Sequence, residues 1–74
     1  MEKIKIGDTV RMSDELKNGL IENNCQEHVD EFGECEGIVE SWIYPNTDIK
    51  DVNVRWKPSE LRYGYNIETL VNVL

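Results

Sequence analysis

A chain of 74 residues makes one small domain, and a domain of that size buries only about 60% of its unfolded surface, which leaves a thin stability margin. Its net charge of −7 disfavours phosphate backbones, which are held through Lys and Arg, so nucleic acid is not the expected partner. No apolar run nears the roughly 20 residues that span a membrane, and the charged N-terminus lacks the apolar block of an export signal. The expectation is therefore a cytoplasmic protein off the membrane, its 2 cysteines present as free thiols.

Lys3 to Met12 alternates as a strand does: Ile4 and Ile6 share a face, Gly7-Asp8 interrupts, and Val10 and Met12 resume. A glycine inside such a run marks a bend or bulge. Residues 13–34 follow as a long acidic loop. Ser13 is placed to cap a short helix in which Leu16, Leu20 and Ile21 share a face, while Gly19 and the Asn23-Asn24 pair argue against anything long. The net charge resides here. From Ser13 to Glu36, Asp14, Glu15, Glu22, Glu27, Asp30, Glu31, Glu34 and Glu36 are opposed by Lys17 alone, so this segment carries −7 and the remainder is neutral.

Cys35 to Tyr44 reads as a second strand whose crowded apolar residues break strict alternation, as a bulge or burial on both faces would explain. Pro45-Asn46-Thr47-Asp48 is a turn. Val52, Val54 and Trp56 then alternate with Asn53, Arg55 and Lys57. Pro58-Ser59-Glu60 turns the chain, and Leu61, Tyr63 and Tyr65 alternate on a returning strand. Asn66 caps a single tight turn through Thr69, and Val71 and Val73 form a short last strand. The expected core comprises Ile4, Ile6, Val10, Val39, Ile43, Val52, Val54, Trp56, Tyr63, Leu70, Val71 and Val73.

Five short strands, a long first loop and a 3₁₀ turn before the last strand describe an all-β, highly bent antiparallel barrel. That order resembles the SH3-like barrel. Three pieces, Gly7-Asp8-Thr9-Val10-Arg11, Gly37-Ile38-Val39 and Val52-Asn53-Val54-Arg55-Trp56 leading to Tyr63 and Leu70, are similar to the small SH3-like domain of the Mind bomb and HERC ubiquitin ligases. The Gly-x-Val and Val-x-Val-x-Trp pieces also resemble KOW and Tudor-like barrels. Where the ligase domain has a Trp- and Gly-rich first loop, this chain has acidic residues and a Cys/His cluster. The resemblance implies the fold and a habit of binding peptides, and no specific contact.

No residue pattern signals catalysis. A Cys–His dyad would need an orienting third group and an oxyanion site, and a pair of carboxylates chosen from 15 acids carries no information. Cys25, His28 and Cys35 are the soft metal-type ligands. Cys25-x₂-His28 could wrap one edge of a zinc site, but a second close pair is missing and Asp30, Glu31 or Glu34 would have to complete it. No metal and no cofactor is expected: Cys35 packs at a strand start, and Cys25 and His28 are exposed. The aromatic residues of the middle strands do not all fit in so small a core. Tyr44, at a strand end, and Tyr65, beside Gly64, are expected on the surface.

The leading functional expectation is a non-enzymatic interaction module, monomeric or weakly dimeric. A peptide carrying Lys or Arg beside an apolar residue or Pro would lie on a floor of Tyr44, Tyr63 and Tyr65 against an acidic wall of Glu27, Asp30, Glu31 and Glu34. The alternative is a small acidic inhibitor or charge mimic of the phage-encoded type, docking on a basic protein. A third reading, a KOW/Tudor-like nucleic-acid module, rests on Arg55, Lys57 and Arg62.

Overall fold

The computed structural model describes residues 4–73. Its elements are β1 (Thr9–Met12), α1 (Asp14–Glu22), α2 (Gln26–Phe32), β2 (Gly37–Trp42), β3 (Asp51–Trp56), β4 (Arg62–Asn66), a 3₁₀ turn (Ile67–Thr69) and β5 (Leu70–Asn72). The five strands make one antiparallel sheet in the order β4-β3-β2-β1-β5, with the two short helices between β1 and β2. No helix among the described residues is long and apolar enough to cross a membrane.

The first strand is shorter than its alternation suggests, and Lys3, where the alternation starts, lies outside the described residues. Gly7 adopts φ +93°, a left-handed conformation favourable only to glycine, and its N–H donates to the Val39 carbonyl at 2.7 Å. Lys5 N–H donates to the Asp8 carboxylate and Asp8 N–H to the Lys5 carbonyl, which closes a turn where a strand was expected. Ile6 sits in that turn and is exposed, not in the core.

The second strand carries the bulge. Val39 pairs with Val54 but Ser41 with Asn53, so Glu40 is the extra residue. Its carboxylate accepts from Arg55 Nε at 2.9 Å and Arg62 Nε at 2.6 Å, and Arg55 also pairs with Glu60. These contacts, largely the Arg62 hydrogen bond, hold the Glu40 carboxyl below the usual carboxylate range. Gly37 lets β2 press on its neighbour: a Cβ there would stand 2.5 Å from a Val54 methyl. Asn66 caps the 3₁₀ turn, its side-chain oxygen accepting from Glu68 N–H at 2.9 Å.

Val10, Met12, Phe32, Val39, Val52, Val54 and Trp56 are fully enclosed, with Ile4, Tyr65 and Leu70 nearly so. Four further expected core residues differ. Val71 is exposed because it pairs with Arg11 and shares that residue's outer face; Tyr63 is 41% exposed; and Ile43 and Val73 are half-buried. Met12 and Phe32 take their place. Phe32 comes from the acidic segment, and its arrival explains why that segment is folded: residues 13–34 hold two helices in place of a long loop, one of which brings an aromatic ring onto the sheet.

Candidate functional site

The helices stand against the outer strand β4, and the space between is a groove of about 440 Å³ lined by Leu16 and Leu20 of α1, Cys25 and His28, Tyr63, Gly64 and Tyr65 of β4, and Thr69. Each wall follows from local sequence. Ser13 Oγ accepts from Leu16 N–H at 3.1 Å, a side-chain N-cap that starts α1, and the acids Asp14 and Glu15 occupy its first turn, where the helix dipole favours them. Leu16 and Leu20, four residues apart, then share the inner face and pack against the core. Asn24 takes φ +64°, a conformation that Asn tolerates, and turns the chain into α2.

On α2 the i,i+4 pair His28 and Phe32 points at the sheet. The Phe32 ring stacks on Trp56 at 5.9 Å and meets Tyr63 at 5.2 Å; His28 lies 4.8 Å from Tyr63, edge to face. Five rings thus form one continuous cluster from the core to the groove, with Tyr65 edge-on to Trp56 at 5.5 Å.

A hydrogen-bonded chain runs through it. Trp56 Nε1–H donates to Tyr65 Oη at 2.9 Å, and Tyr65 Oη lies 2.5 Å from His28 Nε2. Since Trp56 can only donate, Tyr65 Oη accepts from it, and the direction of the Tyr65–His28 bond follows the His28 tautomer. Burial holds the His28 imidazole below its ordinary value, partly opposed by Glu31, and burial pushes the Tyr65 phenol up to about 12, partly opposed by the Trp56 hydrogen bond.

Tyr65 is thus not a surface residue. It is 8% exposed, and Gly64 beside it does not turn it outward, because strand alternation aims it at Trp56. Tyr63, two residues earlier on the same face, is the ring left accessible in the groove. Tyr44 is 47% exposed but is not among the groove residues; it opens the turn after β2, its carbonyl accepting from Thr47. His28 is half-buried and partnered, not free.

The acids divide. Glu27 and Glu31 line an adjoining hollow beyond Cys25 and His28, and Glu15 and Glu68 line another beyond Leu16, Leu20 and Thr69. Both ends of the apolar groove are therefore acidic. Glu34 faces elsewhere, paired with Arg11 and Lys17, and Asp30 accepts from Gln26 Nε2 on its own helix. The four acids expected in one wall do not form one.

Among the described residues no three His, Cys, Asp or Glu side chains gather as a metal site. Cys25 Sγ turns to the Asn23 carbonyl, Cys35 Sγ to the Glu31 carbonyl at 3.3 Å, and His28 Nε2 is engaged by Tyr65. Leu16, Leu20 and Thr69 in the groove, and Glu15 and Glu68 in the hollow beside it, were not expected at the site. The i,i+4 spacings Leu16–Leu20 and His28–Phe32 were the available signals. Comparison with models of protein families, with curated proteins and with solved structures finds no match for this chain.

Proposed function

We propose that this chain is a non-enzymatic, cytoplasmic interaction module that binds a peptide or protein segment carrying Lys or Arg beside an apolar residue. The observation that carries the reading is the groove between α1, α2 and β4. Its lining of Leu16, Leu20, Tyr63 and the Tyr65 edge offers contact area, and Glu27 and Glu31 at one end with Glu15 and Glu68 at the other select basic side chains. An SH3-like fold of the Mind bomb type fits this reading. The strand order, in which β1 joins β2 on one side and β5 on the other with a 3₁₀ turn before β5, is what supports it. The groove differs from the one expected on the sequence, since helices built from the acidic segment form its second wall.

A nucleic-acid role draws little support from the hairpin cations, because two of the three, Arg55 and Arg62, are paired with Glu40 and Arg55 also with Glu60, which leaves Lys57. The competing reading as an acidic charge mimic is favoured by the −7 charge itself. Selection of the full chain against a displayed library of random nonapeptides separates them. The module reading expects enrichment of sequences pairing Lys or Arg with apolar residues, and binding that survives in high salt. Binding only to intact basic proteins, abolished by salt, would replace it with the mimic.

A further inference from the structure

The groove has a wall made of backbone. At the two ends of β4 the Leu61 carbonyl accepts from Trp56 N–H and Ile67 N–H donates to the Lys50 carbonyl, and the register between them pairs Tyr63 with Val54 and Tyr65 with Val52. Antiparallel ladders bond alternate residues, so the odd-numbered residues of this strand are turned to β3. The N–H and C=O of Arg62 and Gly64, and the N–H of Asn66, point the other way. The Asn66 carbonyl is already taken by the Thr69 hydroxyl at 2.6 Å. Among the described residues no strand pairs with it on that side, because β4 ends the sheet.

Exposed edges invite another strand unless proline, inward charge or a covering segment blocks them. β4 has no proline, and its one charged side chain, Arg62, is engaged on the sheet face by Glu40. The opposite edge, β5, is only 3 residues long. Tyr63, Gly64 and Tyr65 all line the groove, so an occupant lying in it runs beside the open edge.

We propose that the partner is an extended segment of another protein, bearing Lys or Arg near its ends, that binds as an added strand on the β4 edge. Main-chain bonds to Gly64 and Arg62 hold it, and alternate side chains enter the groove against Leu16, Leu20 and Tyr63. The acids at both ends, Glu27 with Glu31 and Glu15 with Glu68, supply the charge complementarity that selects a basic segment and sets its position. This rests on the groove reading above and adds the mode of binding.

The test uses the tightest nonapeptide selected from the random library and the full-length chain. The peptide is remade with one N-methyl group at each position in turn, and amide exchange of Gly64 is followed by NMR with and without it. Strand addition predicts losses of tenfold or more at alternate positions only, with Gly64 exchange slowed in the complex. A peptide that binds while tolerating every N-methyl group, with Gly64 unprotected, overturns strand addition and leaves the groove reading standing. A library that yields no binder overturns both. A peptide-free dimer that protects Gly64 would make a second copy the occupant, and would also overturn the proposal.

Discussion

Replacing Tyr65 with Phe removes one oxygen and keeps the ring, so it isolates the hydrogen-bonded chain from the packing around it. Trp56 is fully buried, and its Nε1–H has Tyr65 Oη as its partner. Without that oxygen the N–H is stranded, at a cost of about 1–3 kcal/mol for an unsatisfied buried polar group. His28, half-buried, can turn its ring nitrogen to water and adds little. At about 2.1 cal/mol/K of unfolding entropy per residue, 74 residues convert each kcal/mol into roughly 6 °C of melting temperature. Thermal unfolding followed by circular dichroism at pH 7.5 should therefore show Tyr65→Phe melting about 6–19 °C below the parent, with the native spectrum unchanged at low temperature. An unchanged or raised Tm would mean that Trp56 and Tyr65 are not so paired, and the placement of α2 over β4 would need redrawing.

The same residues give three further expectations. His28 titrates below its ordinary value of 6.5 in the fold, so its contribution to stability is present above about 6.5 and is lost as pH falls through the folded value; melting temperature should drop between pH 7.5 and 5.5, and less so in His28→Phe. The Tyr65 phenol, raised from 10.0 to about 12, contributes stability below pH 10 that is lost as pH rises through that window; a late step in the tyrosinate absorbance should vanish in Tyr65→Phe. Val54 is 0% exposed between two bonded strands, and burying an uncompensated carboxylate there should leave Val54→Asp unfolded by circular dichroism and one-dimensional NMR.

Much of the sheet was legible because strands declare themselves by alternation and turn chemistry. Val52-Asn53-Val54-Arg55-Trp56, the crowded run that hides a bulge at Glu40, and the Asn66-capped turn all occur where those signals place them. The acidic segment was harder. Its helices are 9 and 7 residues long, too short to stand alone, and they form because Leu16, Leu20 and Phe32 find the sheet. Ser13 and the Leu16–Leu20 spacing advertised the first, and nothing but the His28–Phe32 spacing advertised the second. The site suffered most from this. Tyr65 looked available beside Gly64, but which of Tyr63 and Tyr65 is covered depends on Trp56 and His28, residues 9 and 37 positions away from Tyr65 in the chain. Glu34 looked free until the fold brought Arg11 and Lys17 to it.

The central claim is that a peptide binds in the apolar groove and is steered by its acidic ends. The direct test measures, by fluorescence anisotropy, the affinity of one selected basic-apolar peptide for the parent, Tyr63→Ala and Glu31→Gln proteins at low and high salt, with folding of each variant checked by circular dichroism. The account predicts that Tyr63→Ala weakens binding tenfold or more at both salt concentrations, a loss of about 1.4 kcal/mol or more. Glu31→Gln should have a small effect that disappears in high salt. Full affinity in Tyr63→Ala, together with a dominant, salt-sensitive loss in Glu31→Gln, would contradict it and leave the acidic mimic as the better description.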